Sequence, residues 1–171
     1  QPSRVMAAGD EPPVMTIEAR DGRSVPLAVG ICFEAAYPLV IGDGVARGGQ
    51  AIVVPSNNYH FRSSGESAQQ GQLLRMRAME YSRSAVQAST TGHSYVIRPD
   101  GSVLASTGTE EAGSGVAHVA LRSSRPLTGT SGGRFPAAVM AATLAIAILT
   151  TATVIGQRIR ASARARRASG H

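Results

Sequence analysis

Cys32 is the only cysteine in the 171 residues, and its neighbours suit a nucleophile. It lies in the stretch Val25 to Tyr37, VPLAVGICFEAAY, where an apolar run broken only by Pro26 and Gly30 leads into Cys32-Phe33-Glu34. The pattern predicts a buried strand that ends in a sharp turn carrying the thiol, with a helix beginning just beyond. The first N–H groups of such a helix have no internal partner and favour the thiolate, the reactive form of cysteine. Glu34 falls in that first turn, where a carboxylate is electrostatically favoured and can orient a neighbouring group. The competing reading is structural, because a lone cysteine more often serves as a small buried hydrophobe. A second polar cluster, Ser56-Asn57-Asn58, closes another short apolar run and is followed by Tyr59, His60 and Phe61. Asn57 and Asn58 either reach into a site or cap the turn at the strand end, and structural support is the favoured reading. His60, His93, His118 and His171 lack ligand spacing and argue against a metal centre. A single cysteine excludes an internal disulfide framework.

The elements that must position these residues follow from periodicity and turn signals. Residues 1–13 read as a polar, proline-bearing loop; Val14–Arg20 and Val25–Ile31 read as strands joined at Asp21-Gly22. A helix is expected from Glu34 to about Arg47, weakened by Pro38, Gly42 and Gly44 and closed by Gly48-Gly49. Ala51–Pro55 is a short strand, and Glu66 to about Arg83 a helix with Leu73, Met76 and Met79 as its apolar stripe, beside Leu74, Ala78 and Tyr81. Strands are then expected at Ala85–Ser89, Ser94–Arg98, Ser102–Ser106 and Val116–Leu121, with Pro99-Asp100-Gly101 as a turn. Alternation of strands and helices without a repeat gives an α/β or layered α+β domain.

The net charge of +6 is local rather than a nucleic-acid signature. Arg158, Arg160, Arg164, Arg166 and Arg167 supply nearly all of it. All seventeen basic residues are arginine. Ahead of that cluster, residues 123–134 read as a Ser-, Gly- and Thr-rich linker, and residues 135–157 carry no charge. That apolar span is long enough to cross a hydrocarbon core of about 30 Å. The arginines behind it assign residues 158–171 to the cytoplasm by the positive-inside rule and put the cysteine domain, residues 1–122, on the outer face. A buried core helix is the alternative for the same span.

The series GICFE, PSNN, QQGQLLRMRAMEYSR, ASTTG and a PDG hairpin resembles the nitrilase, or carbon-nitrogen hydrolase, superfamily, and within it the apolipoprotein N-acyltransferases. The resemblance covers about Val25 to Leu121 and implies the C-terminal part of an αββα sandwich followed by one transmembrane helix. It implies that Cys32 is the nucleophile, that Glu34 is the carboxylate these enzymes keep beside it, and that no cofactor is needed. The implied reaction moves an acyl chain from a phospholipid through a Cys32 thioester to the diacylglyceryl-cysteine amine of a bacterial lipoprotein, at the cytoplasmic membrane. His60 departs from the family, which usually carries a tryptophan in that loop near the lipid-facing mouth of the site; Tyr59 and Phe61 still offer aromatic surface to acyl chains. The superfamily's general-base glutamate and oxyanion lysine precede the cysteine, whereas this chain has no lysine and Glu11 and Glu18 lie in no matching pattern. The chain is therefore expected to be the C-terminal piece of a longer protein and inactive alone. A membrane-anchored amidase-like hydrolase and a degenerate, non-catalytic interaction module remain as alternatives.

Overall fold

A computed structural model describes residues 9–61, 64–109, 112–124 and 134–168. The chain divides into two compact units, residues 1–132 and 133–171.

The first unit is built on one six-stranded mixed sheet in sequential order. Strand β1 (Val14–Glu18) pairs antiparallel with β2 (Ser24–Val29) through a turn in which Gly22 takes φ +77°, a conformation glycine adopts without steric cost. Strands β2, β3 (Ala51–Ser56) and β4 (Ala85–Ser89) run parallel. Parallel neighbours need a crossover, and the two crossovers carry α1 (Pro38–Ala46) and α2 (Glu66–Tyr81). Antiparallel β5 (Tyr95–Ile97) and β6 (Val103–Ser106) complete the sheet.

Both helices pack on one face of the sheet. Ile41 and Val45 of α1 and Leu74, Ala78 and Tyr81 of α2 share a core with Ala28, Ile52, Val54, Ala85 and Ile97. Alternation along the strands sends Val25, Leu27 and Ala51 to the opposite face, where they form a smaller cluster with Ala19 and Val53. No helix of residues 9–124 covers that second face. Beside it, Gly113–Gly115 and the β4–β6 strands line an open cavity of about 380 Å³.

Three expectations change. The helix predicted from Glu34 is two elements: a five-residue 3₁₀ turn, Cys32–Ala36, and then α1. Pro38 is the cause, because it holds the preceding Tyr37 in an extended conformation and then opens the α-helix at its first position. Cys32 is thus not at the N-terminus of an α-helix, and the dipole argument for its thiolate does not carry over. On α2, Met76 and Met79 are about half exposed, and the buried face is Ser67, Gln70, Gly71, Leu74, Arg77, Ala78 and Tyr81. Close approach selects that face: a Cβ on Gly71 would stand 2.3 Å from the Tyr95 ring, so only a glycine lets the helix lie on the sheet there. Arg77 is accommodated by an ion pair with Glu80 at 2.8 Å.

The strand expected at 116–121 does not form. Residues 112–124 run as irregular chain fastened by individual bonds: Ser84 Oγ donates to the Ala120 carbonyl, the Arg122 N–H to the Gln50 carbonyl and the Arg83 guanidinium to the Ser124 carbonyl. Arg83, only 1 % exposed, also donates to the Gly49 carbonyl at 2.8 Å.

The second unit is a single helix, α3 (Arg134–Ala168). Its segment Ala137–Arg158 has a mean hydropathy of 2.2 with none of its apolar window buried, and is long and apolar enough to cross a membrane. Thr143, Thr150, Thr151 and Thr153 donate their hydroxyls to carbonyls one turn back, which satisfies the polar groups of an otherwise apolar surface. The expected linker falls mostly on residues 125–133, outside the described residues.

Candidate active site

In parallel sheets, ligands bind at the C-terminal ends of the strands, where the crossover loops gather. Cys32 follows β2, Ser56 ends β3 with Asn57 and Asn58 just beyond it, and Ser89 ends β4 with Thr90 and Thr91 beyond, so the sequence's polar clusters lie at one edge. Gly30 is the last residue tied to the sheet, its N–H donating to the Val53 carbonyl at 3.1 Å. Two residues later Cys32 takes φ +52°, the left-handed region that costs an L-residue about 1–2 kcal/mol. The strain is held by its surroundings. The Glu34 carboxylate accepts the Ile31 N–H at 2.7 Å, the Glu34 N–H returns to the Ile31 carbonyl at 3.0 Å, and Ala35 is fully buried. Glu34 therefore braces the turn on both sides of the thiol.

The Cys32 thiol is free and partly exposed. With Phe33, Phe61, Glu66, Gln69, Gln70 and Leu73 it lines a cavity of about 330 Å³. Positions 66, 69, 70 and 73 are one face of the first two turns of α2, a phase that hydrophobic counting along this helix did not pick out. Gln70 is 5 % exposed and donates through Nε2 to Ser56 Oγ at 3.0 Å, which links the end of β3 to the cavity wall.

The remaining predicted residues build the adjoining loop. The exposed Asn57 accepts the Tyr59 N–H through Oδ1 at 3.1 Å, a local turn bond. Asn58, 1 % exposed, donates through Nδ2 to Ser67 Oγ at 3.2 Å, while its backbone N–H meets the Thr91 carbonyl and its carbonyl accepts the Phe61 N–H. Ser67 Oγ also accepts the His93 N–H at 2.9 Å, so one serine on α2 joins the β3 and β4 loops. Tyr59 and His60 stand exposed with their rings edge to face, outside the cavity lining. Of the expected site residues, Cys32 and Phe61 meet in the cavity, Glu34, Asn57 and Asn58 support the loops that form it, and Tyr59 and His60 lie apart. Phe33, Glu66, Gln69, Gln70 and Leu73 were not singled out from the sequence, although Gln69, Gln70 and Leu73 lie in the QQGQLLRMRAMEYSR run.

Comparison with known proteins agrees with this geometry. The carbon-nitrogen hydrolase family model matches residues 2–128. The chain is 40 % identical over 83 residues to the apolipoprotein N-acyltransferase of Mycolicibacterium smegmatis, covering 48 % of this chain and 14 % of that protein. It is 35 % identical over 104 residues to apolipoprotein N-acyltransferase 1 of Treponema pallidum, covering 61 % of this chain and 18 % of that protein. The matched part is thus less than a fifth of the length of these relatives. In fold it is similar to Nit3 of Saccharomyces cerevisiae, a member of branch 10 of the nitrilase superfamily, with a TM-score of 0.51 at 24 % identity over 64 % of this chain and 41 % of that one. With the family model matched across residues 2–128 of its 171, the chain belongs to the carbon-nitrogen hydrolase family.

Proposed function

We propose that this chain is part of an apolipoprotein N-acyltransferase in which Cys32 is the nucleophile. The observation that carries the reading is the braced, left-handed Cys32 in a cavity with apolar Phe33, Phe61 and Leu73 on its wall. Similarity to enzymes of that name in several bacteria supports the substrate class. In the first step the Cys32 thiolate attacks the acyl ester carbonyl of a phospholipid: the C–S bond forms, the ester C–O bond breaks, and the lysophospholipid leaves with a proton. In the second, the α-amine of a lipoprotein's diacylglyceryl-cysteine attacks the thioester. A C–N bond forms, the C–S bond breaks, the thiolate returns and the amine's proton passes to a general base. The base and an oxyanion-stabilising lysine would come from outside these residues, since the chain contains no lysine.

In this reading residues 1–122 belong to the catalytic domain, 123–134 link it to the membrane, 135–157 cross the bilayer and 158–171 remain cytoplasmic. The candidate span Ala137–Arg158 measures about 33 Å at 1.5 Å per residue, matched to the hydrocarbon core. The five arginines behind it favour the cytoplasmic side. Phe61, with Tyr59 and His60 next to it, forms the rim over which an acyl chain enters from the bilayer.

The test uses the complete enzyme incubated with phospholipid. A hydroxylamine-sensitive acyl adduct on the Cys32 peptide, absent from Cys32→Ala, is the expected result by mass spectrometry. An adduct that persists in Cys32→Ala removes the assignment. A hydrolase reading, suggested by the family match itself, would instead show ammonia release from simple amides.

A further inference from the structure

The Cys32 cavity has two chemically different walls. Phe33, Phe61 and Leu73 are apolar, whereas Glu66, Gln69 and Gln70 are polar, and no basic side chain lines it among the described residues. Gln70 is nearly buried, and its amide nitrogen is committed to Ser56 Oγ. Among the described residues no donor reaches its carbonyl oxygen. That oxygen is not sealed from solvent, so it can accept a hydrogen bond from water or from a ligand donor. Glu66 stands one helical turn away on the same face of α2, and its carboxylate likewise takes no hydrogen bond or ion pair among the described residues. Two acceptors on one face, one of them anionic, match a group that is positively charged and carries several N–H donors. A primary ammonium has both properties. An anion would meet the Glu66 charge with no cation among the described lining residues to offset it.

We propose that Glu66 and Gln70 form the amine subsite of this cavity, binding the protonated primary amine of the acyl acceptor next to the Cys32 thioester. The inference rests on the acyl-transfer reading above and adds to it a recognition site for the second substrate. Glu66 attracts the ammonium and Gln70 accepts one of its N–H groups, which fixes the nitrogen on the polar wall while the acyl chain keeps to the apolar one. Before it attacks, the bound ammonium gives one proton to solvent, and its second proton passes to the general base as the C–N bond forms; the subsite thus acts in the deacylation half of the reaction.

Complete enzyme and its Glu66→Gln and Gln70→Leu variants would be loaded with acyl groups from phospholipid, then mixed with a synthetic S-diacylglyceryl-cysteine peptide or with hydroxylamine, a nucleophile uncharged at neutral pH. Glu66→Gln is expected to lose about ten- to a hundred-fold more in half-maximal peptide concentration for deacylation than in its reaction with hydroxylamine, the size of one charge-assisted hydrogen bond. Gln70→Leu should shift in the same direction; Glu66, being exposed, decides the matter should the buried substitution unfold the protein. Unchanged peptide dependence in Glu66→Gln, or an equal loss toward peptide and hydroxylamine, overturns the subsite while leaving the thioester reading intact. A wild-type enzyme that forms no thioester overturns both.

Discussion

Replacing Cys32 by glycine and by alanine separates a strained turn from an ordinary helical one. At φ +52° an alanine pays the left-handed penalty of about 1–2 kcal/mol, and glycine does not. Against this, glycine loses about 0.5–1 kcal/mol more backbone entropy on folding and gives up a half-buried methyl worth about 0.4 kcal/mol. The terms nearly cancel, so Cys32→Gly should be as stable as Cys32→Ala or slightly more so. At a right-handed position the first term vanishes, and glycine should lose by more than about 1 kcal/mol. The exposed Met76, in the middle of α2, supplies the control: Met76→Gly should be the less stable of its pair by about that amount. Thermal midpoints of the four variants in detergent make the comparison, with the strain term worth roughly 3–6 °C in a domain of this size. A Cys32→Gly variant that falls below Cys32→Ala by the same margin as the Met76 pair would refute the elbow geometry and the argument built on it.

Two further outcomes test the support around the site. Arg83→Met removes two 2.8 Å charge-assisted bonds, to the carbonyls of Gly49 and Ser124, and weaker ones to Tyr81 and Ser82. It should cost on the order of 3 kcal/mol and bring early proteolytic cleavage within 112–124; an unchanged cleavage pattern would mean that the guanidinium does not hold this segment. Burial, assisted by the negative charge of Glu80, pushes the Tyr81 phenol up to about 12, and the hydroxyl donates to the Pro38 carbonyl at 2.7 Å. A raised folded-state value favours the protonated phenol. The contribution is therefore complete below pH 10 and is lost as pH rises from about 10 through 12, on the order of 1–2 kcal/mol after allowance for solvent screening. Unfolding midpoints measured across that window should fall in the wild type and flatten in Tyr81→Phe; parallel curves would show that Tyr81 ionisation is not coupled to folding.

The turn that carries Cys32 was legible in the sequence because its signals are local. An apolar run, a glycine, a lone thiol and a following Glu at the third position are covalently adjacent, and the turn they make needs no distant partner beyond the Val53 carbonyl. The same holds for the hairpin at Asp21-Gly22 and for the uncharged span of α3, since length and composition alone decide whether a helix can cross a membrane. Asn57 and Asn58 as turn supports also follow from the habits of their side chains.

The opposite wall of the cavity was decided by tertiary packing. Hydrophobicity assigned α2 one stripe of Leu73, Met76 and Met79 with Leu74, Ala78 and Tyr81 beside them; the last three do enter the core, but the helix rotates so that Gly71 meets the Tyr95 ring and the two methionines stay half exposed. That rotation puts Gln70 under β3 and turns Glu66, Gln69 and Leu73 toward Cys32. A glycine scores as nothing in an apolar pattern, yet the contact distance it permits fixes the phase of the helix. Likewise residues 116–121 read as a strand from composition, while hydrogen bonds from Ser84, Arg83 and Arg122 hold the surrounding segment, 112–124, as irregular chain. Sequence determined where the Cys32 thiol and the apolar span lie, because both depend on neighbours in the chain; only the fold determined what faces the thiol, because that depends on how closely two surfaces can approach.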